Sequence, residues 1–169
     1  GAVGAAHEIV RLFASATQIA NEPAWVDGDE DPAHKIILYH AWLDFGGADG
    51  LDQVVSATDA LVVVRGEDVL GEYATHPAVR GRYDTVFTLD DRGWFYRYQH
   101  LDSIAPGVRL GERVNMGQDI GILGKEGDSG GWAHLHFDIV SMQPSGQYGA
   151  QDAYAFVVEA YRNQSNPAL

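Results

Sequence analysis

Between Lys35 and Val140 the apolar residues come in short runs separated by turn formers, and this rhythm commits the middle of the chain to strands. Residues 35–39, 53–56 and 60–65 are the first such runs, the last rich in valine. Gly46, Gly47, Gly50 and Gly66 punctuate them. Residues 85–90 and 94–100 read as a hairpin, with Asp91, Arg92 and Gly93 at its turn. Residues 119–123 and 134–140 are further strands, joined by a glycine-rich loop over 124–131.

The two ends read differently. Ile9, Leu12, Phe13 and Ala16 fall near one face of a helix over residues 7–20, which Asn21, Glu22 and Pro23 stop. A second helix is expected over 152–162. The expected fold is therefore mainly β, an antiparallel sheet with a helix near each terminus. A chain of 169 residues without repeat or long linker is expected to form one domain. Within it, 1–34 would be the N-terminal helix and an acidic loop, 35–140 the β core, and 141–169 a C-terminal loop and helix.

Charge narrows the partners. The net charge of −13 argues against nucleic acid, whose phosphates need Lys and Arg, and against anionic lipid. No apolar run approaches the ~18 residues of a membrane span. The chain starts Gly1-Ala2-Val3-Gly4 with no visible leader, which reads as a processed or cloned start, and a secreted or periplasmic location is expected. There is no cysteine, so a zinc ion here must be held by His and carboxylate.

Three places carry such groups. His40 and Asp44 are four apart in an extended segment and so share a face. Alone, that spacing suits a structural hydrogen-bond pair better than a metal site. His134 and His136 also share a face, with Leu135 on the other. Trp132, Ala133, Phe137 and Ile139 make their strand half-buried, where two imidazoles need a common partner. A metal supplies one. His100 ends the strand over 94–100. A catalytic zinc takes three protein ligands and leaves a position for water, and two further imidazoles can then move protons or hold charge. These five groups match that need in number.

Other metal motifs fail. Arg11 stands where the helical His-Glu-x-x-His motif begun at His7 needs its second His. Pro32 replaces the glycine of a calcium loop begun at Asp27. The loop over 124–131 lacks the Gly-Lys-Ser/Thr of a phosphate loop and reads either as backbone approaching a site or as a flexible connection.

In order, the chain offers His40-x-x-x-Asp44, Tyr98-Gln-His100-Leu101, Gly111-x-x-Val-x-x-Gly-Gln-x-Ile-Gly121 and His134-Leu-His136-Phe137. This series resembles the lysostaphin-type (LytM-like) zinc endopeptidases over residues 40–139. The resemblance implies His40, Asp44 and His136 as zinc ligands, His134 as general base and His100 as the group that steadies the transition state. It implies a β-sheet groove with the metal on its floor, and a peptide of the bacterial cell wall as substrate. Departures line that groove: Ala41-Trp42 after the first His, Ser129-Gly-Gly-Trp132 before the last motif, and the segment over 71–82. Two other readings stay open: a zinc lyase acting on a uronate polysaccharide, and a binding module that has lost its metal. Trp42, Trp94 and Trp132 would suit sugar stacking but are read first as core.

Overall fold

In a computed structural model of the chain, the structure describes residues 23–25, 37–39, 43–151, 153–154 and 156–157. Its strands in chain order are β1 (Pro23–Trp25), β2 (Ile37–Tyr39), β3 (Leu43–Gly46), β4 (Gln53–Val55), β5 (Ala60–Arg65) and β6 (Asp68–Val69). Then follow β7 (Val86–Leu89), β8 (Phe95–Gln99), β9 (Leu101–Ile104), β10 (Arg113–Val114), β11 (Asp119–Leu123), β12 (His134–Met142) and β13 (Tyr148–Ala150). The one helical element with both bounds among the described residues is a 3-10 turn, Gly71–Tyr73; Ala153, Tyr154, Phe156 and Val157 also have helical backbone. The helix expected over 7–20 lies outside the described residues, as does most of 152–162, so neither terminal helix is shown as a complete element.

The main sheet runs β10-β5-β7-β8-β12-β13, with β3 also on β12 and β6 on β5. Every pairing is antiparallel. The β7–β8 turn is held by Asp90, whose Oδ1 accepts the N–H groups of Arg92 (2.9 Å) and Trp94 (3.0 Å). A short aspartate does this well because its carboxylate reaches amides two and four residues on.

Strand alternation divides the sheet into two faces. Leu135, Phe137 and Ile139 of β12 turn to one face, with Tyr96 and Tyr98 of β8 and Leu43 and Phe45 of β3. A second sheet, β4-β11-β9, closes this main core with Val54, Ile120, Leu123 and Leu101. The opposite face of β12 carries His134, His136 and Asp138 and, further on, Val140. Val140 joins Val63, Val64, Phe87, Phe95 and Ala78 in a smaller core on that side. A register shift between Val62 and Val64 explains the valine run: Val62 serves the main core, and Val63 and Val64 serve the smaller one. Half of the second face is thus apolar and covered, and the other half is polar and open.

Candidate metal centre

The antiparallel register assembles the polar half. Asp44 of β3 stands directly opposite His136 of β12, and Gln99 of β8 stands opposite the same residue on the other side. Directly opposed side chains are the closest neighbours a sheet offers. Asp44 Oδ1 lies 3.0 Å from His136 Nδ1 and 3.7 Å from His134 Nε2. One nitrogen from each of His100, His134 and His136 falls within a common 4.8 Å. Of the five residues expected at the site, four therefore converge. The fifth, His40, lies outside the described residues.

His100 reaches the cluster by an unusual backbone. Its φ is +65°, the one positive value at a non-glycine among the described residues. Buried Asp84 holds it there, accepting the His100 N–H at 3.0 Å. Asp84 is gripped by both the Nε and Nη2 of Arg82, the latter at 2.7 Å. Burial works to raise the Asp84 pKa, but His100 and Arg82 outweigh it and hold the carboxyl at about 2. Strain of this kind persists where the surroundings over-determine it.

The glycine-rich loop supplies the far wall. A Cβ on Gly124 would sit 2.4 Å from the Asp102 nitrogen, so only glycine lets the loop leave β11 this close to β9. From there the Gly124 carbonyl accepts the His134 N–H at 3.1 Å.

Carbonyl partners fix two imidazoles. His134 Nδ1 is 3.1 Å from the Trp132 carbonyl, and His100 Nδ1 is 2.7 Å from the Glu126 carbonyl. A carbonyl can only accept, so both Nδ1 atoms donate, and Nε2 of each ring is left for the groove. Burial, with the charges of His100 and His136 beside it, pushes the His134 pKa down despite the Trp132 carbonyl and Asp44. Burial also acts to lower His136, but Asp138 and Asp44 more than offset it and the pKa is raised.

The groove over these groups has a volume of about 650 Å³. Trp132, expected in the core, is instead 40% exposed there and lies flat on His134, ring centroids 3.9 Å apart at 17°. Trp94 is half-buried and packs on the main core, against Phe156. Trp42 lies outside the described residues.

The donors suit zinc. A carboxylate oxygen and an imidazole nitrogen 3.0 Å apart can both bind one ion at the roughly 2.0–2.2 Å zinc requires. Nitrogen and oxygen donors without thiolate also fit that ion.

Two further ion pairs flank the cluster. Asp138, two residues beyond His136 and on the same face, is fully buried and bound at both oxygens by Arg97. Its parity with His134 and His136 was the available signal. For Asp84 and Arg82 the sequence carries none, since a loop brings them to His100.

The sequence model of peptidase family M23 matches residues 39–148. No curated protein matches the chain. Among solved structures, the catalytic domain of lysostaphin, an antimicrobial peptidase from Staphylococcus simulans, is similar at a TM-score of 0.52 and 25% identity. That likeness covers 71% of this chain and 80% of the other. Lysostaphin itself, from the same organism, is similar at a TM-score of 0.53 and 26% identity over 72% of this chain. The chain spans 45% of that longer protein.

Proposed function

The chain belongs to peptidase family M23, and we propose on that premise that it is a zinc-dependent endopeptidase of bacterial cell-wall peptides, acting outside the cytoplasm. The observation that carries the reading is the meeting of Asp44, His134 and His136 across the β3–β12 register. His40, Asp44 and His136 would hold the zinc, within a single catalytic domain over 1–169 whose β core is 35–140. Similarity to an antimicrobial peptidase supports a wall peptide as substrate.

Zinc, when bound, supplies a Lewis acid and lowers the pKa of water toward ~7. The chain's own residues do the rest. His134 Nε2, unprotonated because Nδ1 donates to the Trp132 carbonyl, takes a proton from the water that attacks the scissile amide carbon. It returns that proton to the nitrogen as the C–N bond breaks. His100 faces the groove through Nε2; donating from both ring nitrogens, as an imidazolium, it would hold the negative charge developing on the carbonyl oxygen. Asp84 fixes the backbone from which it does so.

The test is incubation of zinc-loaded protein with purified peptidoglycan, oligoglycine peptides and uronate polysaccharides, with mass analysis of the products. New amine and carboxyl termini from wall peptide, abolished by a chelator and by His134→Ala, are expected. Chelator-sensitive unsaturated uronates without peptide cleavage would replace this reading with the lyase. Tight wall binding without any product would replace it with the binding module.

A further inference from the structure

His136 has a carboxylate beside each ring nitrogen, and the two differ in kind. Asp44 Oδ1 is 3.0 Å from Nδ1, and Asp138 Oδ2 is 3.7 Å from Nε2. Asp138 has no exposed surface. Its Oδ1 accepts Arg97 Nε at 2.5 Å and its Oδ2 accepts Arg97 Nη2 at 2.6 Å. The pair is built into the sheet, since Arg97 of β8 stands directly opposite Asp138 of β12. The Arg97 guanidinium in turn lies 5.5 Å from the Phe87 ring, at the border of the smaller core. Packing and a two-pronged ion pair therefore hold Asp138 in place.

A neutral imidazole carries one proton. If His136 Nδ1 gives its lone pair to a metal beside Asp44, the proton sits on Nε2 and requires an acceptor in a half-buried place. Asp138 stands at that nitrogen. Because Arg97 already binds both its oxygens and balances its charge, Asp138 is suited to orient a ligand rather than to be one.

We propose that Asp138, clamped by Arg97, is a positioning residue for His136: it holds the Nε2–H tautomer and so turns Nδ1 toward the metal position shared with Asp44. This rests on the zinc reading above. To accept the Nε2 proton, Asp138 must close its present 3.7 Å contact to hydrogen-bond distance. The same clamp gives His136 a fixed ring plane, which a ligand on a strand open to the groove would otherwise lack.

Zinc affinity of the whole chain, measured by competition with a chromophoric chelator, tests this. The variants are Asp138→Asn and the double change Arg97→Leu with Asp138→Leu, which leaves neither charge buried alone. Wild type should bind zinc, and both variants should bind about 10- to 100-fold more weakly. Nitrogen-15 NMR of the zinc-loaded wild type adds a readout that a purely structural role would not move. It should show His136 bound through Nδ1 and protonated at Nε2. A folded double variant with wild-type zinc affinity, or a zinc-bound Nε2 in wild type, overturns the proposal, and the NMR result alone decides if the double variant does not fold. Failure of wild type to bind zinc would instead overturn the metal reading beneath it.

Discussion

Trp132 lies flat against His134, and the carbonyl of the same tryptophan receives the His134 Nδ1 proton. One residue thus fixes both the plane and the tautomer of the proposed base. The carbonyl survives substitution, whereas the stack does not. Aromatic stacking of this kind is worth about 0.5–1.5 kcal/mol. Trp132→Ala should therefore lower kcat/KM by up to ~10-fold with zinc content unchanged, and Trp132→Phe should recover most of the loss. Steady-state kinetics with metal analysis checks this. Loss of zinc in Trp132→Ala would show that the indole supports the metal and not the base.

The roles assigned to the five polar residues separate cleanly in one measurement. His40→Ala, Asp44→Ala and His136→Ala each remove a proposed ligand and should lose zinc and activity together. His134→Ala and His100→Ala should retain about one zinc per chain and lose activity by ~10²-fold or more. Elemental analysis beside a turnover assay tells the sets apart. Metal loss from His100→Ala would move that residue among the ligands, where the common 4.8 Å spacing of the three imidazoles would also allow it.

How much of this was legible beforehand depended on whether the chemistry lay along a strand or across a loop. β5 and β11 occupy the residues expected of them, because each is a compact apolar run. β9 and β13 were missed. Leu101-Asp-Ser-Ile104 and Tyr148-Gly-Ala150 have little apolar alternation, and their pairing is imposed by β11 and β12. The shared face of His134 and His136 followed from strand parity, and the same parity extended one step further gives Asp138. That Asp138 meets Arg97 depends on which residue of β8 it faces, a register no single strand reveals. Trp132 reads as core by its size, yet the turn before β12 places it on the groove. Asp84 and Arg82 act through a loop contact with His100, where periodicity has nothing to report.

Asp84 should make the fold sensitive to acid. Its carboxyl sits at about 2 against an ordinary 3.8, so the folded state favours the charged form. A depressed carboxylate contributes stability that is full above its unfolded pKa and is lost as pH falls through the folded one. The window is therefore from about 4 down to about 2, and the contribution is on the order of 2 kcal/mol. Denaturant unfolding of metal-free protein should show Asp84→Asn less stable than wild type at pH 6, with the gap narrowing toward pH 2. Asp84→Ala should cost more, about 3–5 kcal/mol, since it leaves Arg82 unpaired and the His100 N–H without its acceptor. A gap independent of pH would mean that Asp84 acts through shape and hydrogen bonding rather than charge.

The pH dependence of catalysis should be set by His134. Burial is the largest influence on its pKa and lowers it from 6.5, with the neighbouring His100 and His136 acting in the same direction. A bound cation would push the same way, since it too disfavours a second positive charge nearby. A base with a lowered pKa loses its proton earlier as pH rises. Hence kcat/KM should climb from acid with the midpoint of its limb below 6.5. The Trp132 carbonyl works against this by favouring the protonated ring, but it is the smaller influence. The measurement is a kcat/KM profile taken at saturating zinc, so that proton competition for the ligands does not shape the acid limb. An acid limb centred above the ordinary histidine value, with zinc still bound, would take the base role away from His134.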